Sequence, residues 1–184
     1  FAARPFALTN GQRKPVHALL QTTNGEIWGG HHDGIFSIKN GQYRFYGFGP
    51  HQEIGTSSVM KLDAAGKIWL LFEKSLWHID PDGEIDLSTP TYSLDKPANT
   101  LEIDKQGNLW IGTLGYGLRK IVPRKSMFHA SVKGTSIWGV WQDPQQRILC
   151  KLFNKMVYFN PATQTLSSQS AFPDALPQQN DLLF

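Results

Sequence analysis

Apolar and polar residues alternate along this chain in short bursts, and turn residues separate one burst from the next. The first set comprises Val16-His17-Ala18-Leu19-Leu20, Glu26-Ile27-Trp28, Ile35-Phe36-Ser37-Ile38 and Tyr43-Arg44-Phe45-Tyr46. Near-alternation rich in β-branched and aromatic residues predicts strands, because such side chains pack well on a pleated, half-buried surface. No segment carries a convincing helical period.

The bursts repeat. The segments NGEIW, AGKIW, QGNLW and QQRIL align so that Trp28, Trp69, Trp110 and Leu149 recur 41, 41 and 39 residues apart. Thr22, Asp63, Asp104 and Asp143 open the turn that precedes each of these strands. Gly25, Gly66 and Gly107 close the first three turns. Behind each Trp position follow Gly34-Ile35, Ser75-Leu76, Gly117-Leu118 and Lys155-Met156, and then Ile38, Ile79, Ile121 and Phe159. The turn chemistry is physical: an Asp side chain accepts from backbone N–H groups ahead of it, and Gly takes the positive φ that closes the hairpin. Thr22 does the same with weaker chemistry. Asp143-Pro144-Gln145-Gln146 lacks the Gly and is expected to form a less regular turn.

Four strands in a repeat of about 40 residues describe a propeller blade. The predicted fold is therefore all-β, a β-propeller of about four four-stranded blades, read as a fragment of a larger propeller. The blades are expected over 16–57, 58–99, 100–136 and 137–176. Residues 1–15 form a lead-in or outer strand, and 177–184 the first strand of a further blade. A small closed four-bladed disc is the alternative. Trp28, Trp69 and Trp110 are expected to fill the space between neighbouring blades, a structural role shared with the turn residues Asp63, Asp104, Gly25, Gly66 and Gly107. Trp138 and Trp141 lie outside the pattern, and one of them is expected to face the axial channel.

Composition narrows the classes. Of 184 residues, 40% are hydrophobic and 18% charged, enough to bury a core and too apolar for disorder. No run approaches the roughly 18 apolar residues of a membrane span, so this segment is expected to make no membrane contact. The net charge of +3, from 18 Lys and Arg against 15 Asp and Glu, is scattered and gives no footprint for nucleic acid. The single Cys150 sits in an apolar run and reads as a buried structural thiol. The chain opens on Phe1-Ala2-Ala3-Arg4 without a charged and apolar leader, as it would with a leader already removed.

The third repeat, Leu101 to Ile121, resembles the two-component regulator propeller repeat. Asp104, Gly107, Trp110-Ile111-Gly112-Thr113, Gly117-Leu118 and Arg119 match that pattern. The first repeat keeps Gly25, Trp28-Gly29-Gly30 and Gly34-Ile35. The second keeps Asp63, Gly66 and Trp69 but has Leu70-Leu71-Phe72 in place of I-G-T, and the fourth keeps only Asp143 and the apolar pattern. The resemblance implies a sensor module on the periplasmic or extracellular side of a bacterial inner-membrane receptor. Its output would be a histidine kinase or a diguanylate cyclase, and its ligand a small molecule or oligosaccharide. The partners so implied are that ligand, the remainder of the parent receptor and a homodimer formed through the parent.

Candidate binding residues follow from topology. In a propeller the turns between second and third strands share one face with the connections between blades, and that face usually binds ligands. Here it would carry His31, His32, Asp33, Glu73, Lys74, Tyr116 and Asn154, with His51 and Tyr92 on the inter-blade connections. Imidazole and carboxylate at His31-His32-Asp33 are good metal ligands, but adjacent side chains on an extended segment point oppositely, so no metal is expected. His17 is expected to line the channel. Tyr116 and Tyr92 suit stacking on a sugar face or packing beneath a loop. Asp63, Asp104 and Asp143 sit in separate turns, where capping accounts for them without acid catalysis. No nucleophile–base constellation or phosphate loop is present, so neither enzymatic activity nor a cofactor is expected of this segment. The second repeat also resembles that of streptogramin lyases, which makes a propeller lyase or hydrolase one alternative and a protein-interaction scaffold another.

Overall fold

The computed structural model describes residues 15–48, 58–123, 127–131, 134–160 and 163–167. It contains strands and turns, with no helix among the described residues. The first sheet holds β1 (Ala18–Gln21), β2 (Ile27–His31), β3 (Gly34–Lys39) and β4 (Gln42–Gly47). The second holds β5 (Ser58–Leu62), β6 (Ile68–Phe72), β7 (Ser75–Ile79) and β8 (Tyr92–Ser93). The third comprises β9 (Ala98–Ile103), β10 (Leu109–Thr113), β11 (Gly117–Val122) and β12 (Met127–Ser131), and the fourth β13 (Gly139–Gln142), β14 (Ile148–Lys151), β15 (Met156–Asn160) and β16 (Thr165–Ser167). Each sheet is a four-stranded antiparallel meander in sequence order. β9 begins at Ala98, inside the span expected for the second blade.

The registers make the four sheets superimposable by position. Leu20↔Trp28↔Ser37 in the first sheet corresponds to Lys61↔Trp69↔His78, Glu102↔Trp110↔Lys120 and Trp141↔Leu149↔Tyr158 in the others. This row belongs to the forward face of each blade. The opposite, rear face carries Leu19↔Gly29↔Phe36, Met60↔Leu70↔Trp77, Leu101↔Ile111↔Arg119 and Val140↔Cys150↔Val157.

Packing joins a forward face to the next rear face. Trp28, fully buried, packs in one apolar cluster with Met60, Ile68, Leu70 and Trp77 of the second blade. Trp69 enters the cluster of Leu101, Leu109 and Ile111, and Trp110 that of Ile137, Val140, Ile148 and Cys150. The innermost strands β1, β5, β9 and β13 contact one another in series, and the Lys61 ammonium lies 2.7 Å from the Glu102 carboxylate across two of them. Gly112 shows why the third repeat needs a glycine after Trp110-Ile111. A Cβ there would lie 2.4 Å from Cγ2 of Thr100 and 2.8 Å from Cγ2 of Ile137, so the next blade could not approach.

The turns follow one scheme. In each, the N–H of the opening residue donates to the carbonyl four residues on, and the closing residue donates back: Asp63 to Lys67 at 2.9 Å, then Gly66 to Asp63 at 3.0 Å. Gly25, Gly66 and Gly107 hold φ of 83°, 79° and 77°. The fourth turn departs from expectation. Asp143 N–H still reaches Arg147 O at 3.0 Å and Gln146 N–H reaches Asp143 O at 2.9 Å, so the turn is as regular as the others. Gln146 takes the left-handed conformation itself, at φ 66°, and the ladder on either side imposes that geometry against residue preference.

Candidate functional site

The two ends of the blades carry different chemistry. At one end lie the D-x-x-G turns, and at the other the turns β2–β3, β6–β7, β10–β11 and β14–β15 with the connections between blades.

At the latter end the expected residues are placed unequally. His31 closes β2 and is buried, at 2% exposure, instead of lining a solvated rim. Its Nδ1 lies 2.9 Å from the Pro15 carbonyl and donates to it, while Nε2 has no hydrogen-bond partner among the described residues. Phe36 and Phe45 flank the ring, at 5.0 and 6.3 Å between centroids. His32 and Asp33 are half-buried in the turn itself. Asp33 also helps, after burial, to push the Tyr43 phenol above its ordinary value. Glu73 has a left-handed backbone at φ 51°, and its carbonyl accepts from Ala98 N–H at 3.0 Å. The Lys74 carbonyl accepts from Leu94 N–H at 2.6 Å. Asn154 and Lys155 are exposed. His51 lies outside the described residues. Tyr92 is not on a loop: it stands in β8, half-buried, with its ring 6.1 Å from Trp69. His17 is exposed, and its N–H donates to the Gly30 carbonyl at 2.9 Å just ahead of β1. Trp138 and Trp141 are both half exposed.

Tyr116, 45% exposed, has company that the sequence did not announce. The Lys96 ammonium sits 4.5 Å above its ring. The neighbouring Asp95 pairs with the buried Arg119 guanidinium. That hydrogen bond holds the Asp95 carboxyl below its ordinary value. Arg119 occupies the rear-face position that holds Phe36, Trp77 and Val157 in the other blades. The segment between β8 and β9 thus brings an acid, a base and an aromatic ring together beside the β10–β11 turn. Only the blade-to-blade register shows this, since Asp95 and Arg119 are 24 residues apart.

The D-x-x-G end holds a cavity of about 260 Å³ between the third and fourth blades. Trp110, Ile148 and Phe159 contribute apolar surface, and Lys120, Gln142 and Arg147 polar groups. Its mouth is bridged by Gln106, whose Nε2 donates to Gln146 Oε1 at 3.0 Å, and by Lys105 N–H donating to Gln142 Oε1 at 2.9 Å. Sequence reasoning placed ligand binding at the opposite end and missed this groove, because its walls come from two repeats.

The turn acids are committed to structure. Asp104 accepts from Gln106 and Asn108 N–H, from the Asn108 amide and, at 2.8 Å, from Trp110 Nε1. Asp63 accepts from Ala65 and Lys67 N–H at 2.9 Å and lies 2.8 Å from Nε2 of His78, whose ring stacks on Trp69 at 4.2 Å. Burial alone would raise the Asp63 carboxyl, but the His78 and backbone bonds outweigh it and hold it below the ordinary 3.8. Asp143 follows the same balance with Arg147 as its partner. Among the described residues no three metal-ligating side chains cluster.

Repeated four-stranded meanders, in which each blade presses an aromatic into the next, define the β-propeller class. More narrowly, residues 93–115, from the end of β8 through β10, match the family described as two component regulator propeller. Among curated proteins, none matches the sequence. Solved structures share the fold at low identity. Virginiamycin B lyase from Staphylococcus aureus is 14% identical with a TM-score of 0.68, over 88% of this chain and 57% of that one. An extracellular domain assigned to a hybrid two component system from B. thetaiotaomicron is 15% identical with a TM-score of 0.69, over 84% of this chain and 21% of that one. PorZ, a surface component of the type-IX secretion system of Porphyromonas gingivalis, is 11% identical with a TM-score of 0.59, over 84% of this chain and 27% of that one. The chain therefore spans less than two thirds of the length of each.

Proposed function

We propose that this chain is the ligand-sensing segment of a bacterial extracytoplasmic signal-transduction receptor, and that its ligand is a small molecule of the carbohydrate class. The observation that carries the reading is the two component regulator propeller repeat at 93–115. The likeness in fold to extracellular domains of two-component systems supports it. In this reading the protein is anchored in the inner membrane, pairs with a second copy through the parent receptor, and passes its signal to a histidine kinase or diguanylate cyclase. The ligand acts by binding one packing arrangement of the propeller more tightly than another, which biases the output equilibrium. The binding residues would be those of the loop end, with Tyr116 offering an exposed ring, and His32, Lys74 and Asn154 hydrogen-bonding groups.

Titration calorimetry of the full-length receptor against a panel of oligosaccharides tests this. Binding is expected for at least one sugar, and Tyr116→Ala should weaken it about tenfold through lost stacking of roughly 1–1.5 kcal/mol. If Gln142→Ala abolishes binding while Tyr116→Ala leaves it intact, the site is the groove at the opposite end. Binding to no sugar removes the carbohydrate reading.

The likeness to virginiamycin B lyase favours a second reading, a propeller lyase or hydrolase. Incubation with virginiamycin B distinguishes the two: the sensor reading expects the substrate back intact, and a product lost on His32→Ala would establish the enzyme.

A further inference from the structure

The turn acids of the second and fourth blades each take a cationic or imidazole side chain as partner, and that of the third does not. Asp63 lies 2.8 Å from Nε2 of His78, whose ring stacks on Trp69. Asp143 accepts from Nε of Arg147 at 2.7 Å. Lys120 holds the place of His78 in the register of the third blade, but Asp104 is already saturated. It accepts from the Gln106 and Asn108 N–H groups, twice from the Asn108 amide and once from Trp110 Nε1, against about four lone-pair sites on a carboxylate. The Lys120 ammonium instead stands 5.0 Å from the centre of the Trp110 ring, with no carboxylate partner among the described residues. It borders the cavity of about 260 Å³ between the third and fourth blades. Both walls of that cavity come from described strands, β10 and β11 on one side and β13 to β15 on the other.

We propose that this groove binds a small monocarboxylate with a planar apolar body, its carboxylate against Lys120 and its body on the wall of Trp110, Ile148 and Phe159. The charges present suit one negative group. Arg147 is engaged by Asp143 and by the Tyr158 hydroxyl, which leaves Lys120 as the cation to be matched. A dianion such as a phosphate monoester would meet repulsion from Asp104, which lines the same cavity. A cationic ligand is no better served, because the Asp104 oxygens have no lone pair left to offer. Gln146 supplies a second anchor: its Oε1 accepts from Gln106, while its amide N–H groups have no partner among the described residues and suit the other carboxylate oxygen. At about 30 Å³ for each water-sized group, the volume holds about nine non-hydrogen atoms, the size of benzoate. The groove lies at the end of the blades away from Tyr116 and the other loop residues, so this inference does not rest on the carbohydrate reading.

Ligand-observed NMR titration of the full-length protein with benzoate, and with benzamide as its neutral isostere, tests the proposal. Benzoate is expected to bind at least about tenfold more tightly, since only the carboxylate forms a charge-assisted hydrogen bond with Lys120. Lys120→Met keeps an apolar stem over the indole and should erase that preference. Lys120→Arg should retain it, and Tyr116→Ala should leave it unchanged. The buried Cys150 thiol, protected in each variant, reports that the fold is intact. Equal affinity for the two probes, or no saturable binding of benzoate, would overturn the proposal. A preference for benzoate that survives in Lys120→Met would overturn it as well, by placing the anion on another cation. No sugar is present in the titration, so a failure to bind carbohydrate leaves its result standing, and the two readings fail separately.

Discussion

Single residues carry much of the order in this propeller, and Asp104 is the clearest case. It saturates its carboxylate with the turn it opens and with the indole of Trp110. In the first repeat Thr22 replaces the acid, its hydroxyl reaches only local groups, and Trp28 Nε1 is left without a partner among the described residues. Asp104→Ala should therefore lower stability by about 2–4 kcal/mol, since it orphans several donors at once, and urea midpoints measure this. Asp63 makes a pH-dependent contribution. Its folded pKa lies below the ordinary 3.8, so the folded state binds fewer protons than the unfolded state as pH falls. The stabilisation is present above 3.8 and is lost as pH drops through the folded value. In urea titrations between neutral and strongly acid pH, Asp63→Asn should show a shallower acid loss than the parent; identical slopes would remove the Asp63–His78 pair from the account. Cys150 gives a simpler test. Burial pushes its thiol up to about 12, so Ellman's reagent at pH 8 should detect no thiol in the native protein and one after denaturation.

At the scale of the element, the turn decides the hairpin and the ladder decides the turn. Gly107 holds φ 77°, a conformation that a Cβ penalises, so Gly107→Ala should cost about 1–2 kcal/mol. Gln146 is held at φ 66° in the equivalent place, and Gln146→Gly should gain about 0.5–1 kcal/mol by relieving it, less what the lost Gln106 contact contributed. A loss of stability in that variant would mean that the bridge to Gln106 outweighs the strain. The strands themselves were legible from alternation, and the turn acids from their spacing. The regular fourth turn was not, because residue preference argued against it and the pairing of β13 with β14 prevailed. Tyr92 escapes the alternation for a related reason: only the two residues of β8 pair with β7, too short a run to announce itself.

For the whole molecule, stability is the sum of blades and of the interfaces between neighbours. Trp110→Ala should cost about 3–5 kcal/mol through the cavity it leaves in the third interface. Because each blade touches only its neighbours, amide exchange should accelerate in β13 to β15 while β1 to β4 stay protected. Uniform acceleration across all four sheets would show a single cooperative unit instead. The sequence by itself determined the repeat, its period, the four-stranded blade and the tryptophans between blades, since these follow from local alternation, turn chemistry and identical spacing. Only the tertiary structure decided that His31 is buried, that Asp95 and Lys96 meet Arg119 and Tyr116, and that a groove opens between the third and fourth blades. Those features join residues from different strands or different repeats. Periodicity says which face a side chain takes, but not what the neighbouring blade places opposite it.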